Sequence, residues 1–199
     1  MGTVLGVVVE YNPLHNGHKF HLEASKRATR SDSVVAVMSG HWLQRGEPAF
    51  LNKWARAETA LLAGGDLVLE LPVAYSAQPA EWFAYGAMSA LTATGIVDAV
   101  CFGSESGEIG WLKKLAEQLA GEPEAFQTLL REQLKTGVSY PSAYAAAVQR
   151  LTGSPEASKL AEPNNSLGFH YLLALARLNS PIRPYTIGRV KAGYHDVLL

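Results

Sequence analysis

The run Val4-Leu5-Gly6-Val7-Val8-Val9, cut off by Asn12-Pro13, constrains the fold more than any other stretch of the chain. It is apolar at successive positions, so an extended strand built from it is hydrophobic on both faces. That suits a strand covered on both sides, as in parallel sheets flanked by helices. The same grammar repeats downstream. A helical pattern from His18 (Phe20, Leu22, Ala24, Ala28, with Lys19, Lys26, Arg27 and Arg30 between them) leads to the apolar segment Ser33 to Met38. A helix from Lys53 to Ala63, closed by Gly64-Gly65, leads to Asp66 to Leu71, which Pro72 stops. An apolar helix from Ala80 to Thr94, stopped by Gly95, leads to Ile96 to Phe102. Glycine just past a helix supplies the backbone freedom that its end requires. Strands alternating with helices imply right-handed βαβ units, and the expected fold is a doubly wound α/β parallel sheet.

From Glu108 to Thr152 the pattern is helical without strands, with Leu112, Leu115, Leu119, Phe126, Leu129, Leu130 and Leu134 at helical spacing. A loop from Ser154 to Asn165, a helix from Leu167 to Leu178 and a last strand from Pro184 to Val190 complete the reading. The expected organisation is therefore 1–107 as the first part of the core, 108–153 as a helical insertion and 154–199 as the return to the core. The chain stops at Val197-Leu198-Leu199 without a terminal cap, as if interrupted inside the domain.

Composition narrows the function classes. With 199 residues, 48% hydrophobic and 18% charged, the chain is globular rather than collagen-like, disordered or coiled-coil. One cysteine, Cys101, makes neither an internal disulfide nor a thiolate zinc site, and is expected buried and inert. No apolar stretch approaches the roughly 18–20 residues of a spanning helix, and no basic residue precedes the first one as in a signal peptide. Met1-Gly2 lacks the Ser/Thr at the sixth position that myristoylation requires. The expected setting is cytoplasmic, with no membrane partner. A net charge of −1 argues against broad nonspecific nucleic-acid binding while leaving room for a local basic surface.

The segment Tyr11-Asn12-Pro13-Leu14-His15-Asn16-Gly17-His18 lies between the first strand and the first helix. There, at the carboxyl end of a parallel strand and the N-terminus of a helix, free N–H groups meet anions. Three of the six histidines, His15, His18 and His21, fall within it or just after it. A metal reading is disfavoured, because spacing of i, i+3, i+6 drifts around a helix and no carboxylate or cysteine completes a set. A surface loop whose histidines merely cluster is the bland alternative. A phosphate site explains more: the imidazoles of His15 and His18 can donate to phosphate oxygens during attack at the α-phosphorus, and Gly17 allows close backbone approach. The chain carries no Gly-x-x-x-x-Gly-Lys-Ser/Thr loop, no dinucleotide glycine fingerprint at Gly103-Ser104-Glu105-Ser106-Gly107 and no serine nucleophile elbow.

His15-Asn16-Gly17-His18 after a strand is similar to the His-x-Gly-His signature of the nucleotidyltransferase superfamily. The wider set resembles the bacterial tRNA(Met) cytidine acetate ligase family over nearly the whole chain. It comprises Val9 to His18, Met38-Ser39-Gly40, Gln44 to Pro48, Lys53 to Glu58, Glu70-Leu71-Pro72, Cys101 to Glu105, Pro163-Asn164-Asn165 and Ala192 to Asp196. The resemblance implies an ATP-dependent ligase that activates acetate as acetyl-adenylate and acetylates N4 of the wobble cytidine (34) of elongator tRNA(Met), with Mg2+ as the ATP counter-ion. It places ATP on Val7, Val8, Val9, Glu10, Tyr11, Asn12, Pro13, Leu14, His15, Asn16, Gly17, His18, Lys19 and Phe20. Gly103, Asn164 or Asn165, and Arg189 join them, and His15 and His18 hold the triphosphate.

Arg45, Lys53 and Arg56 are either a solvated surface or contacts to RNA, with Trp42 or Trp54 stacking an unpaired base. Glu70-Leu71-Pro72 reads as a strand end rather than a catalytic acid. The chain departs from the pattern at His41, where Asn is expected, at Asn52, where Asp is common, and in length, about half that expected. The second phosphate motif expected after Asp196 is not in the sequence, and a chain lacking it would bind ATP weakly and fail to activate acetate. Two other readings stand beside the ligase: an adenylyltransferase for a phosphorylated small molecule, and a noncatalytic nucleotide- or RNA-binding module.

Overall fold

The computed structural model describes residues 2–121 and 123–188. Five strands form one sheet: β1 (Thr3–Val9), β2 (Ser31–Ser39), β3 (Leu67–Leu71), β4 (Ala99–Ser104) and β5 (Arg183–Gly188). Every pairing is parallel, in the order β3-β2-β1-β4-β5. The expected parallel, doubly wound sheet is what the chain forms. The strands are apolar on both faces because each face meets its own core. Leu5, Val7, Val34, Ala36 and Cys101 join Leu22 in a small core beneath helix α1 (Asn16–Thr29). Val35, Val37, Val100 and Phe102, one residue out of step, enter the large core on the other face.

That large core is closed by α4 (Ala80–Ala93), α5 (Gly110–Leu119), α6 (Glu124–Leu134), α7 (Tyr140–Thr152) and α8 (Pro163–Arg177). Two glycines let helices come close. A Cβ on Gly6 would sit 2.8 Å from Leu91 of α4, and one on Gly168 of α8 would sit 2.3 Å from the Phe102 ring. Of the remaining helices, α2 (Lys53–Leu62) lies against β3, and the single turn α3 (Val73–Ser76) follows β3 and packs on α4. None of the helices among the described residues is long and apolar enough to cross a membrane.

Three local details differ from the sequence reading. The first helix begins at Asn16 rather than His18, with His15 as its N-cap. The segment expected as a loop from Ser154 to Asn165 contains a 3-10 helix, Pro155–Ala161, and α8 already starts at Pro163. Proline at the first helical position has the φ a helix needs and no N–H to leave unpaired. The strand expected from Ile96 begins at Ala99, and Ile96 is exposed. Arg189, Val190 and Ala192 to Asp196 lie outside the described residues.

Candidate nucleotide site at the carboxyl edge of the sheet

From β1 the chain winds outward through β2 to β3, and from β4 it continues to β5 on the other side. The switch point lies between β1 and β4, where doubly wound sheets open a crevice at the carboxyl ends of their strands. The segment from Glu10 to His18 fills one wall of it. Tyr11 is buried in a left-handed conformation (φ 47°), Asn12-Pro13 is a cis peptide, and burial pushes the Tyr11 phenol up to about 12. Glu10 Oε1 accepts from the Ser39 hydroxyl at 3.2 Å and the Gln44 N–H at 2.8 Å, while Asn12 Oδ1 accepts from the Phe50 N–H at 2.6 Å. These two side chains pin the 41–52 loop to the end of β1. Val7 belongs to the small core, and Val8 and Val9 pack on the two cores from opposite faces. What β1 can offer a ligand is therefore its backbone end.

His15 and His18 cap α1 reciprocally. The Gly17 N–H donates to His15 Nδ1 at 3.1 Å, and the His15 N–H donates to His18 Nδ1 at 3.3 Å. Their rings stack with centroids 3.7 Å apart at 21°, and the Tyr11 ring lies 5.0 Å from that of His18. With both Nδ1 atoms acting as acceptors, the hydrogen-bond network assigns the proton of each neutral ring to Nε2. Burial, then the neighbouring charges of His15 and His21, pulls His18 down to about 4. At neutral pH His18 is thus a neutral N–H donor, stacked on His15 beside the positive end of a helix whose first turn carries no acid. A Cβ on Gly17 would lie 3.0 Å from the His15 ring, so glycine lets the imidazole fold over the backbone. Pro13, Asn16, Lys19 and Phe20 are exposed around the pair, and Leu14 is half-buried.

The third histidine is set apart. His21 makes a hydrogen bond to the Phe102 backbone, burial lowers its pKa, and its Nε2 is buried without a partner among the described residues. Among those residues no three His, Cys, Asp or Glu side chains gather to hold a metal. Cys101 is buried, and burial pushes its thiol up to about 11.

Across the crevice, β4 ends at Gly103 and Ser104, and the carboxylate of Glu105 caps α8. It accepts from the Asn164 N–H (3.1 Å), the Asn164 carboxamide (2.6 Å) and the Asn165 N–H (2.7 Å). Burial works to raise the Glu105 pKa, but these donors outweigh it and hold the carboxyl low. The asparagine pair divides in role. Asn165 is 0% exposed, with its carboxamide bound to Ser106, Lys159 and Glu162. Asn164 is half-buried and is the one within a ligand's reach. Sequence reasoning quoted Glu105 without giving it a part; a carboxylate just after a strand, opposite a Pro-Asn-Asn helix start, is the signal that finds it.

The basic residues separate just as sharply. Arg45 is exposed. Lys53 pairs with Glu70 at 2.6 Å and lies 5.2 Å from the centroid of the Trp54 ring. Arg56, expected on an RNA-facing surface, is instead 0% exposed. Its guanidinium donates to the carbonyls of Glu10 (2.5 Å), Ser39 (2.8 Å), Leu51 (3.3 Å) and Gly40. It ties together the carboxyl ends of β1 and β2, where strand carbonyls run out of ladder partners. Asn52 caps α2 by accepting the Ala55 N–H at 3.0 Å, so the exchange of Asp for Asn keeps the cap.

A family model described as HIGH Nucleotidyl Transferase matches residues 2–199. The tRNA(Met) cytidine acetate ligase of Halalkalibacterium halodurans is 52% identical over 96% of this chain and 46% of its own length. That of Alkaliphilus metalliredigens is 48% identical over 98% and 49%. Thermotoga maritima TmcAL bound with alpha-thio ATP superposes with a TM-score of 0.88 at 47% identity, over 96% of this chain and 47% of that one. The apo form I of the same protein gives a TM-score of 0.88 at 46% identity. The chain spans about half the length of the curated relatives it matches. With the His-x-Gly-His turn, the switch-point crevice and the family model in agreement, the chain belongs to the HIGH nucleotidyl transferase family.

Proposed function

We propose that this chain carries the ATP-dependent, acetate-activating part of a tRNA(Met) cytidine acetate ligase. The observation that carries the reading is the stacked pair His15 and His18 on the N-terminus of α1, beside the ends of β1 and β4. The triphosphate lies against this terminus, with the Nε2–H groups of both imidazoles on its oxygens, and an incoming oxygen competes with His15 Nδ1 for the Gly17 N–H. Gly103 and Asn164 form the nucleoside side, and Arg189 adds a cation. An acetate oxygen attacks the α-phosphorus and pyrophosphate leaves. The cytidine N4 amine of elongator tRNA(Met) then attacks the acyl carbon of acetyl-adenylate, AMP departs and the amine proton is lost, giving N4-acetylcytidine.

No general base is needed for the first step, because acetate is its own nucleophile. Holding it in line contributes up to roughly 7–11 kcal/mol, and a donor aimed at developing charge about 3–4 kcal/mol. Mg2+ would accompany the triphosphate as its counter-ion and would supply charge neutralisation on the phosphate oxygens. The reaction is cytoplasmic, where ATP and tRNA meet.

Two of the relatives that support this reading are named as such ligases, and a solved structure similar over 96% of this chain holds an ATP analogue. The experiment is ATP–pyrophosphate exchange, run with a chain extended to the full length of the relatives, of which this chain spans about half. Exchange that requires acetate supports the reading. Exchange driven by a phosphate ester such as phosphopantetheine and not by acetate replaces it with another adenylyltransferase. ATP binding insensitive to His18→Ala, without turnover, leaves a binding module.

A further inference from the structure

A cleft of about 60 Å3 opens between α2 and the carboxyl ends of β2 and β3, lined by Met38, Ser39, Lys53, Trp54 and Glu70 among others. Trp54 is 73% exposed although it borders the cleft. Glu70 Oε2 is held by Lys53 at 2.6 Å, whereas Oε1 has no hydrogen-bond donor among the described residues. Gly40 makes room for it: a Cβ there would lie 2.3 Å from Glu70 Oε1. The Gly40 carbonyl is held by Arg56, which also holds the carbonyl of Glu10 on the nucleotide side, so one buried side chain sets both places. A largely exposed indole, with Lys53 Nζ 5.2 Å from its centroid, brings together a stacking ring, an acceptor and a neighbouring donor, which suit an unpaired base.

We propose that this cleft is the subsite for the acceptor base, an unpaired cytosine, an inference that rests on the reading given under Proposed function. The ring stacks on Trp54 and only its edge enters, in keeping with the small volume. Glu70 Oε1 accepts from the exocyclic N4 amine and Lys53 donates to N3. Uracil reverses this order, setting O4 against the carboxylate and its N3–H against the ammonium. Adenine shares the order of cytosine, so uracil is the discriminating comparison.

The test is the affinity of this chain for an unstructured oligouridylate with one central cytidine, against the all-uridine oligomer, by fluorescence anisotropy. Preference for the cytidine probe of about tenfold or more is expected, in line with one bidentate base contact. Glu70→Gln, whose carboxamide can present either a donor or an acceptor, brings the ratio below about threefold. Trp54→Ala weakens both probes alike, by about 5- to 100-fold, and Trp54→Phe restores most of the loss. A ratio is not moved by partial unfolding, which lowers both affinities together. Equal or absent binding of the two probes by the wild-type chain, or an unchanged ratio in Glu70→Gln, overturns the proposal. Acetate-dependent exchange uses no RNA, so failure of the parent reading registers there separately.

Discussion

Replacing Arg56 with methionine keeps the length and most of the apolar bulk of the side chain and deletes its donors. The carbonyls of Glu10, Ser39 and Gly40 then lose their guanidinium, and the weaker bond to Leu51 goes with them. A buried acceptor left unpaired costs about 1–3 kcal/mol, so three of them cost about 3–9 kcal/mol. Against this, the fold no longer desolvates a cation, a relief of several kcal/mol. The net expectation is a destabilisation of about 3 kcal/mol, or about 6–12 °C in Tm for a chain of this size. Thermal unfolding followed by circular dichroism reads it. Arg56→Lys recovers less than half, because one ammonium does not span carbonyls from three segments. A fall in Tm of less than about 2 °C in Arg56→Met refutes the view that this guanidinium organises the strand ends.

The fold's response to acid follows from its buried histidines. His18 sits near 4 and His170, buried and beside the charge of Arg177, near 3, both below the ordinary 6.5. Their neutral forms are favoured by folding, so the unfolded chain takes up protons first as pH falls below about 6.5. The stability these residues support is present above that pH and is lost down to about 4 for His18 and about 3 for His170. Urea midpoints should be lower at pH 5 than at pH 7.5, and His170→Phe should flatten the difference; an unchanged midpoint in the wild type contradicts this. Gly168→Ala drives a methyl to within 2.3 Å of the Phe102 ring and should cost about 1–3 kcal/mol by chemical denaturation. A neutral result would mean that α8 and β4 separate freely.

The sheet was legible because its strands are apolar on both faces, a pattern that survives without any knowledge of partners. The strand order and the pairing of β1 with β4 are long-range facts that periodicity does not carry. The place of the histidine turn between β1 and α1 was legible, yet the start of α1 was not: imidazole is an unusual cap, and only the structure shows Nδ1 in that place. Arg56 looked like a surface cation because it stands on an amphipathic helix with Lys53. Nothing local in the chain announces that three strand-end and loop segments converge on it. The start of α8 was readable in Pro163 and was masked by the polar run before it.

Calorimetric titration of ATP into this chain and into a His15→Ala/His18→Ala variant tests the central claim most directly, that the stacked pair on α1 holds the triphosphate. The expected result is a loss of affinity of 100-fold or more, with adenosine binding changed little, since two donors of about 1.5–3 kcal/mol each to a charged group are removed. ATP affinity within threefold of the wild type would place the triphosphate elsewhere.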